Sequence, residues 1–122
     1  MIGIPWKSKG RDQHGIDCVG LALLAQKELY GREYKFPFDY DPLTDEENIL
    51  INWVEGIADR VDKAQDGDLI IYRMPVNGEN KHHIATVVDG ALLHIYPFKT
   101  SHKTRIFKHR IYGIYRGREV VS

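Results

Sequence analysis

The chain has 122 residues, with 17 basic and 17 acidic side chains, six histidines and one cysteine. That length makes a single domain over residues 1–122 with a core of its own, and a lone cysteine excludes an intramolecular disulfide and fits folding in a reducing cytosol. A formal charge of zero excludes a global field that would draw the chain to nucleic acid or an anionic membrane, and no apolar run approaches the roughly 20 residues that span a bilayer.

Met1-Ile2-Gly3-Ile4-Pro5-Trp6 lacks the charged and apolar regions of a signal peptide, so export by that route is not expected. From Ile4 to Gly15 the chain is polar and glycine-bearing, a loop whose one large aromatic is Trp6. It leads into Asp17-Cys18-Val19-Gly20-Leu21 and an apolar run to Leu29. Asp17 is a favoured N-cap and Gly31 a stop, so a helix begins at the cysteine. Cys18 then stands in the first turn, where free backbone N–H groups and the helix dipole favour a thiolate over a thiol. Ala22 and Ala25 share its face, and with Gly20 they leave room for another layer to come close.

The stretch Tyr34 to Pro42 holds four aromatic rings and two prolines, too broken for a central strand; it either lines a groove or covers the core. Thr44-Asp45-Glu46-Glu47 has capping-box spacing, and Ile49, Leu50, Trp53, Val54, Ile57 and Ala58 recur at helical intervals, so a second helix is expected over about 45–59. Beyond it the period shortens. Gln65-Asp66-Gly67-Asp68 is a turn, Leu69 to Tyr72 a buried strand, and 75–80 a loop. His83 to Val88 and Ala91 to Tyr96 are strands joined at Asp89-Gly90, a strong two-residue hairpin signal. The basic stretch Lys99 to Arg110 is expected to be a loop or irregular edge, serving as a solvated surface or a patch for an anionic polymer. Ile111 to Arg116 is the last strand.

With Asp89 and Gly90 as the turn, Val88 faces Ala91, Val87 faces Leu92 and Thr86 faces Leu93. Alternation then puts His83, Ala85, Val87, Leu92, His94 and Tyr96 on one face. His83 and His94 are diagonal neighbours, roughly 7–8 Å apart at the backbone, while His82 points away. Ala85 offers a gap for the Ala22/Ala25 face of the cysteine helix, which would bring Cys18 to His83. A thiol, an imidazole that takes and returns its proton, and a group orienting that imidazole are the parts of nucleophilic catalysis by cysteine. Activity of such a pair is expected to fall at acidic pH, within the range 5 to 8. Metal binding competes, since Cys18, His83, His94 and His82 or His102 could hold zinc, but no CxxC or HExxH spacing supports it. His14 and His109 read as surface residues.

Four blocks, Gly15-Ile16-Asp17-Cys18-Val19-Gly20-Leu21, Gln65-Asp66-Gly67-Asp68-Leu69-Ile70, His83 to Gly90, and Leu92-Leu93-His94, resemble in order and spacing the signature of NlpC/P60 cysteine peptidases. The resemblance implies an α+β, papain-like NlpC/P60 fold, with an N-terminal cysteine-bearing helix packed on an antiparallel β-sheet. It implies Cys18 as nucleophile, His83 as general base, His94 as orienting residue, and no metal or other cofactor. Trp6 stands where the family has a tyrosine that shapes the site, and Val19 where it most often has serine. With Asp17 these make a substrate or oxyanion side.

The implied activity is hydrolysis of peptide bonds in bacterial peptidoglycan stem peptides, commonly between D-glutamate and a diamino acid. The short chain and its Gly3-Ile4-Pro5 opening more particularly resemble bacteriophage tail-assembly and tail-tip members. That implies partners among other tail proteins, synthesis in the host cytoplasm, a place in the virion tail, and action at the cell wall. Two alternatives stay open: a tail component that keeps the fold without activity, and a peptidase or acyl transferase that acts on another tail protein.

Overall fold

The computed structural model describes residues 1–41, 49–76 and 79–119. A small ribbon, β1 (Arg11–Asp12) and β2 (Gly15–Ile16), leads into α1 (Cys18–Tyr30), followed by α2 (Ile49–Ile57). Six strands complete the fold: β3 (Ala58–Val61), β4 (Leu69–Val76), β5 (Glu79–Val88), β6 (Ala91–His94), β7 (His102–Arg105) and β8 (Ile111–Gly117). They form one antiparallel sheet in the order β3-β8-β4-β5-β6-β7. This is the expected α+β arrangement of a cysteine-bearing helix on an antiparallel sheet.

Both ends of α1 are set by the residues that mark them in the sequence. Asp17 Oδ1 accepts the Gly20 N–H at 2.8 Å. At the other end Gly31 adopts φ 67°, and the Gly31 and Arg32 N–H groups bond back to the Lys27 and Gln26 carbonyls, which satisfies carbonyls the helix leaves open. Val19 and Ala22 pack with Leu69, Ile71 and Ile84 of the sheet and with Leu50, Trp53 and Val54 of α2. Leu21 and Ala25 pack with Val88, Leu93 and Ile95. The Tyr34–Asp41 stretch covers the core, with Phe36 and Tyr40 against the α2 cluster.

The β5–β6 hairpin has its expected register, Val88↔Ala91, Val87↔Leu92 and Thr86↔Leu93. Asp89 and Gly90 both take positive φ, 53° and 75°, as a type I′ turn requires. Ala85, Val87 and Leu92 share a face, where they pack with Ile70 and Tyr72. That face is not the one α1 covers. The expected meeting of Ala22 and Ala25 with Ala85 is therefore wrong: α1 takes the face of Ile84, Val88 and Leu93. Because β5 is apolar on both faces, its alternation could not say which one the helix would choose.

Three further expectations are corrected. The second helix ends at Ile57, and Ala58–Val61 leaves it to pair with β8; the capping-box residues Thr44 to Glu47 lie outside the described residues. The 75–80 loop is instead the tip of a long hairpin, with Val76 opposite Glu79 and Asn77-Gly78 outside the described residues. Pro75 is compatible with a strand here because the β4–β8 pairing stops at Tyr72↔Ile111, so only β5 flanks β4 at that point. Finally, the basic stretch contains the edge strand β7, whose His102, Lys103, Thr104 and Arg105 lack the apolar alternation that would mark a strand.

Candidate active site

The start of α1 carries the thiol to the sheet. Cys18 is half-buried, and the nearby backbone N–H groups of Ile84, Val19 and Cys18 itself act on its thiol. Ile84 follows His83 in β5, so Cys18 meets the strand beside the candidate base; among the described residues the hydrogen-bond partner of the His83 ring is His94, not the thiol. The N–H groups favour a thiolate, but burial outweighs them and, with the neighbouring Asp17 carboxylate, pushes the thiol up to about 12. The expected low-pKa thiolate is thus not the resting form: desolvation overrides the helix terminus.

The two imidazoles meet as the hairpin register requires. His83 Nε2 lies 2.8 Å from His94 Nδ1, and His94 Nε2 lies 2.9 Å from Thr104 Oγ1. Both rings are buried, at 7% and 1% exposure. Burial first, then the nearby His94 and His102, lowers His83 to about 3; burial, then His102, lowers His94 to about 4. Both are neutral at pH 7. With Nε2 engaged by His94, Nδ1 is the nitrogen of His83 left to take a proton from a thiol. Tyr96 lies almost parallel on the His83 ring, with centroids 4.7 Å apart and planes at 20°. His102 packs on His94 at 4.5 Å, with its Nδ1 committed to the Thr100 carbonyl at 3.1 Å.

No family model matches the sequence, and no curated protein sequence matches it. A solved structure does: the NlpC/p60 domain of the peptidoglycan hydrolase SagA matches 93% of this chain and 87% of its own, with a TM-score of 0.57 and 21% identity. The chain has the NlpC/P60 fold.

Within that fold the remaining sequence candidates take different places. Asp17 is fully buried beside Cys18, where its carboxylate accepts the Gly20 N–H, the Lys9 N–H at 2.9 Å, Arg11 Nη1 at 3.0 Å and the Tyr40 hydroxyl. Arg11 also reaches the Tyr40 oxygen at 2.7 Å. These bonds tie the N-terminal loop and the aromatic strap to the start of α1. The Val19 side chain is buried in the core, and what Val19 presents to the sulfur is its backbone N–H. Both side chains are closed off from solvent.

Trp6 is half-buried on a loop held at both ends, bridging Ile16 and donating its N–H to the Lys99 carbonyl at 3.0 Å. Its ring meets the exposed Phe98 at 4.7 Å. His82 turns away from the pair and accepts from Arg73 Nε at 3.1 Å, and His14 and His109 are exposed. Among the described residues no group of three or more His, Cys, Asp or Glu side chains is placed to hold a metal ion. Sequence reasoning missed Thr104, Arg11 and Tyr40. An isolated threonine in an unrecognised strand carried no signal; the two residues bracing Asp17 become visible only once loop and strap are folded together.

Proposed function

We propose that the chain is a cysteine peptidase that hydrolyses peptide bonds in the stem peptides of bacterial peptidoglycan. The observation that carries this reading is the His83–His94 pair at 2.8 Å, in an NlpC/P60 fold whose lone cysteine meets β5 one residue past His83. His83 Nδ1 takes the thiol proton as Sγ attacks the scissile carbonyl, and the Cys18 and Val19 N–H groups steady the developing oxyanion. The same imidazole returns the proton to the departing amine, leaving a thioester. A water deprotonated by His83 then attacks the thioester, and the product acid leaves as the thiol reforms. Starting from a neutral thiol and a neutral imidazole, proton transfer has to accompany attack, because neither partner is charged in advance. No step needs a cofactor.

The resemblance of the sequence blocks supports two finer proposals: that the bond lies between D-glutamate and a diamino acid, and that the protein works in a phage tail that opens the wall locally during infection. A second reading is favoured by the burial that keeps Cys18 and His83 neutral: a tail component that retains the fold without activity.

Digestion of purified Gram-negative and Gram-positive peptidoglycan by wild-type and Cys18→Ala protein, read by mass spectrometry, separates them. Cys18-dependent release of cut stem peptides supports the peptidase, and the masses name the bond. Amine adducts in place of hydrolysed ends indicate acyl transfer. A folded wild-type protein that releases nothing from either wall selects the structural component or an enzyme that needs its tail partners.

A further inference from the structure

We infer that Thr104 is a positioning residue of this site, whose hydroxyl oxygen accepts the proton on His94 Nε2 and so supports the tautomer that leaves His83 Nδ1 free. The inference rests on the proposed roles of Cys18 and His83. Three groups form a line, His83 Nε2 to His94 Nδ1 at 2.8 Å and His94 Nε2 to Thr104 Oγ1 at 2.9 Å. With both rings neutral, the line can run in only two directions. In one, His83 Nε2–H donates to His94 Nδ1, and His94 Nε2–H donates to Thr104. In the other, the Thr104 hydroxyl donates to His94 Nε2, and His94 Nδ1–H donates to His83 Nε2, which leaves His83 with its proton on Nδ1.

Only the first direction leaves a lone pair on His83 Nδ1, the nitrogen that has to receive the thiol proton. It also places both protons on Nε2, the tautomer favoured by neutral histidine. The second direction blocks the base. Thr104 terminates the line because its Oγ1 is the group that His94 Nε2 meets, at 2.9 Å. Its position follows from the edge strand: Thr104 stands opposite Leu92 and His102 opposite His94, so alternate β7 residues face the imidazoles while Lys103 and Arg105 face out. A four-residue strand with a polar side chain at every position thereby holds a buried imidazole in one orientation.

Thr104→Val keeps the shape and removes the acceptor, leaving a buried N–H without a partner in the productive direction. Thr104→Ser restores the hydroxyl. The test compares wild type and both variants by 15N–1H correlation of the histidine rings at neutral pH, and by steady-state hydrolysis of peptidoglycan. Both His83 and His94 should be Nε2-protonated in wild type and Thr104→Ser, and His94 should lose that tautomer in Thr104→Val. In the hydrolysis assay kcat should fall roughly 10- to 100-fold in Thr104→Val, the size of effect seen for outer-shell partners of metal-ligating histidines, with KM within about twofold of wild type.

Identical tautomers in all three proteins, or Thr104→Val turning over within twofold of wild type, would overturn the inference. Should wild type show no Cys18-dependent cleavage, the reading of the lone chain as a peptidase fails on its own, and the ring tautomers still decide the role of Thr104.

Discussion

Mild acid should destabilise this protein, in a window set by its two buried histidines. In the unfolded chain each has a pKa of about 6.5, whereas in the fold His83 lies at about 3 and His94 at about 4. Between those limits the unfolded state binds up to two protons that the native state refuses, so stability rises with pH there and is lost as pH falls below about 6.5. Each histidine then contributes a slope approaching about 1.4 kcal/mol per pH unit. Going from pH 7.5 to pH 5, the pair removes about 4 kcal/mol, a large part of the roughly 5–15 kcal/mol that holds a domain together. His82, also lowered by burial, acts with the same sign. Urea unfolding of wild type and His83→Gln at pH 7.5, 6 and 5 measures the effect. Wild type should lose stability at each step, and the variant, with one fewer titrating ring, should lose it about half as steeply. Stability independent of pH over that range, or an unchanged slope in His83→Gln, would refute the assignment of two neutral buried rings.

Three other outcomes follow from the same geometry. Because His83 stays neutral down to about 3, kcat/KM should hold steady on the acid side from pH 8 to 5 and fall only where the fluorescence or circular dichroism signal shows unfolding; a kinetic limb near 6.5 in folded protein would contradict this, and it replaces the fall within pH 5 to 8 expected from an ordinary histidine. With the Cys18 thiol pushed up to about 12, iodoacetamide at pH 8 should alkylate it far more slowly than a free cysteine of pKa about 8.5, which intact-mass measurement over time checks. Gly20→Ala should cost about 1–3 kcal/mol, read as a lowered thermal midpoint, because a Cβ there would lie 2.1 Å from the Gly10 carbonyl oxygen, a backbone atom that cannot simply swing aside.

Legibility in the sequence tracked how local the determining interaction is. The cap at Asp17, the stop at Gly31 and the Asp89-Gly90 turn each act within a few residues, and all three are where the pattern puts them. From the turn alone came the register, and from the register came the shared face of His83 and His94, 11 positions apart and in hydrogen-bond contact. The edge strands β3 and β7 were missed because Ala58–Val61 and His102–Arg105 are strands through their partners β8 and β6, not through any period of their own.

The thiol marks a different boundary. Its place at the first turn of a helix was readable, and that place does supply the expected N–H groups to the sulfur. Their effect on the proton was misjudged because a helix terminus is a local property, whereas the desolvation opposing it comes from α1 being pressed on β5, 66 residues further on at Ile84. The same burial lowers His83, so the two errors have one cause and opposite signs: each residue is held in its uncharged form. A site of this kind stores no thiolate–imidazolium pair. Its basicity has to be directed rather than intensified, which places the weight on orientation, on the nitrogen of His83 that is free and on the groups beyond it that keep it so.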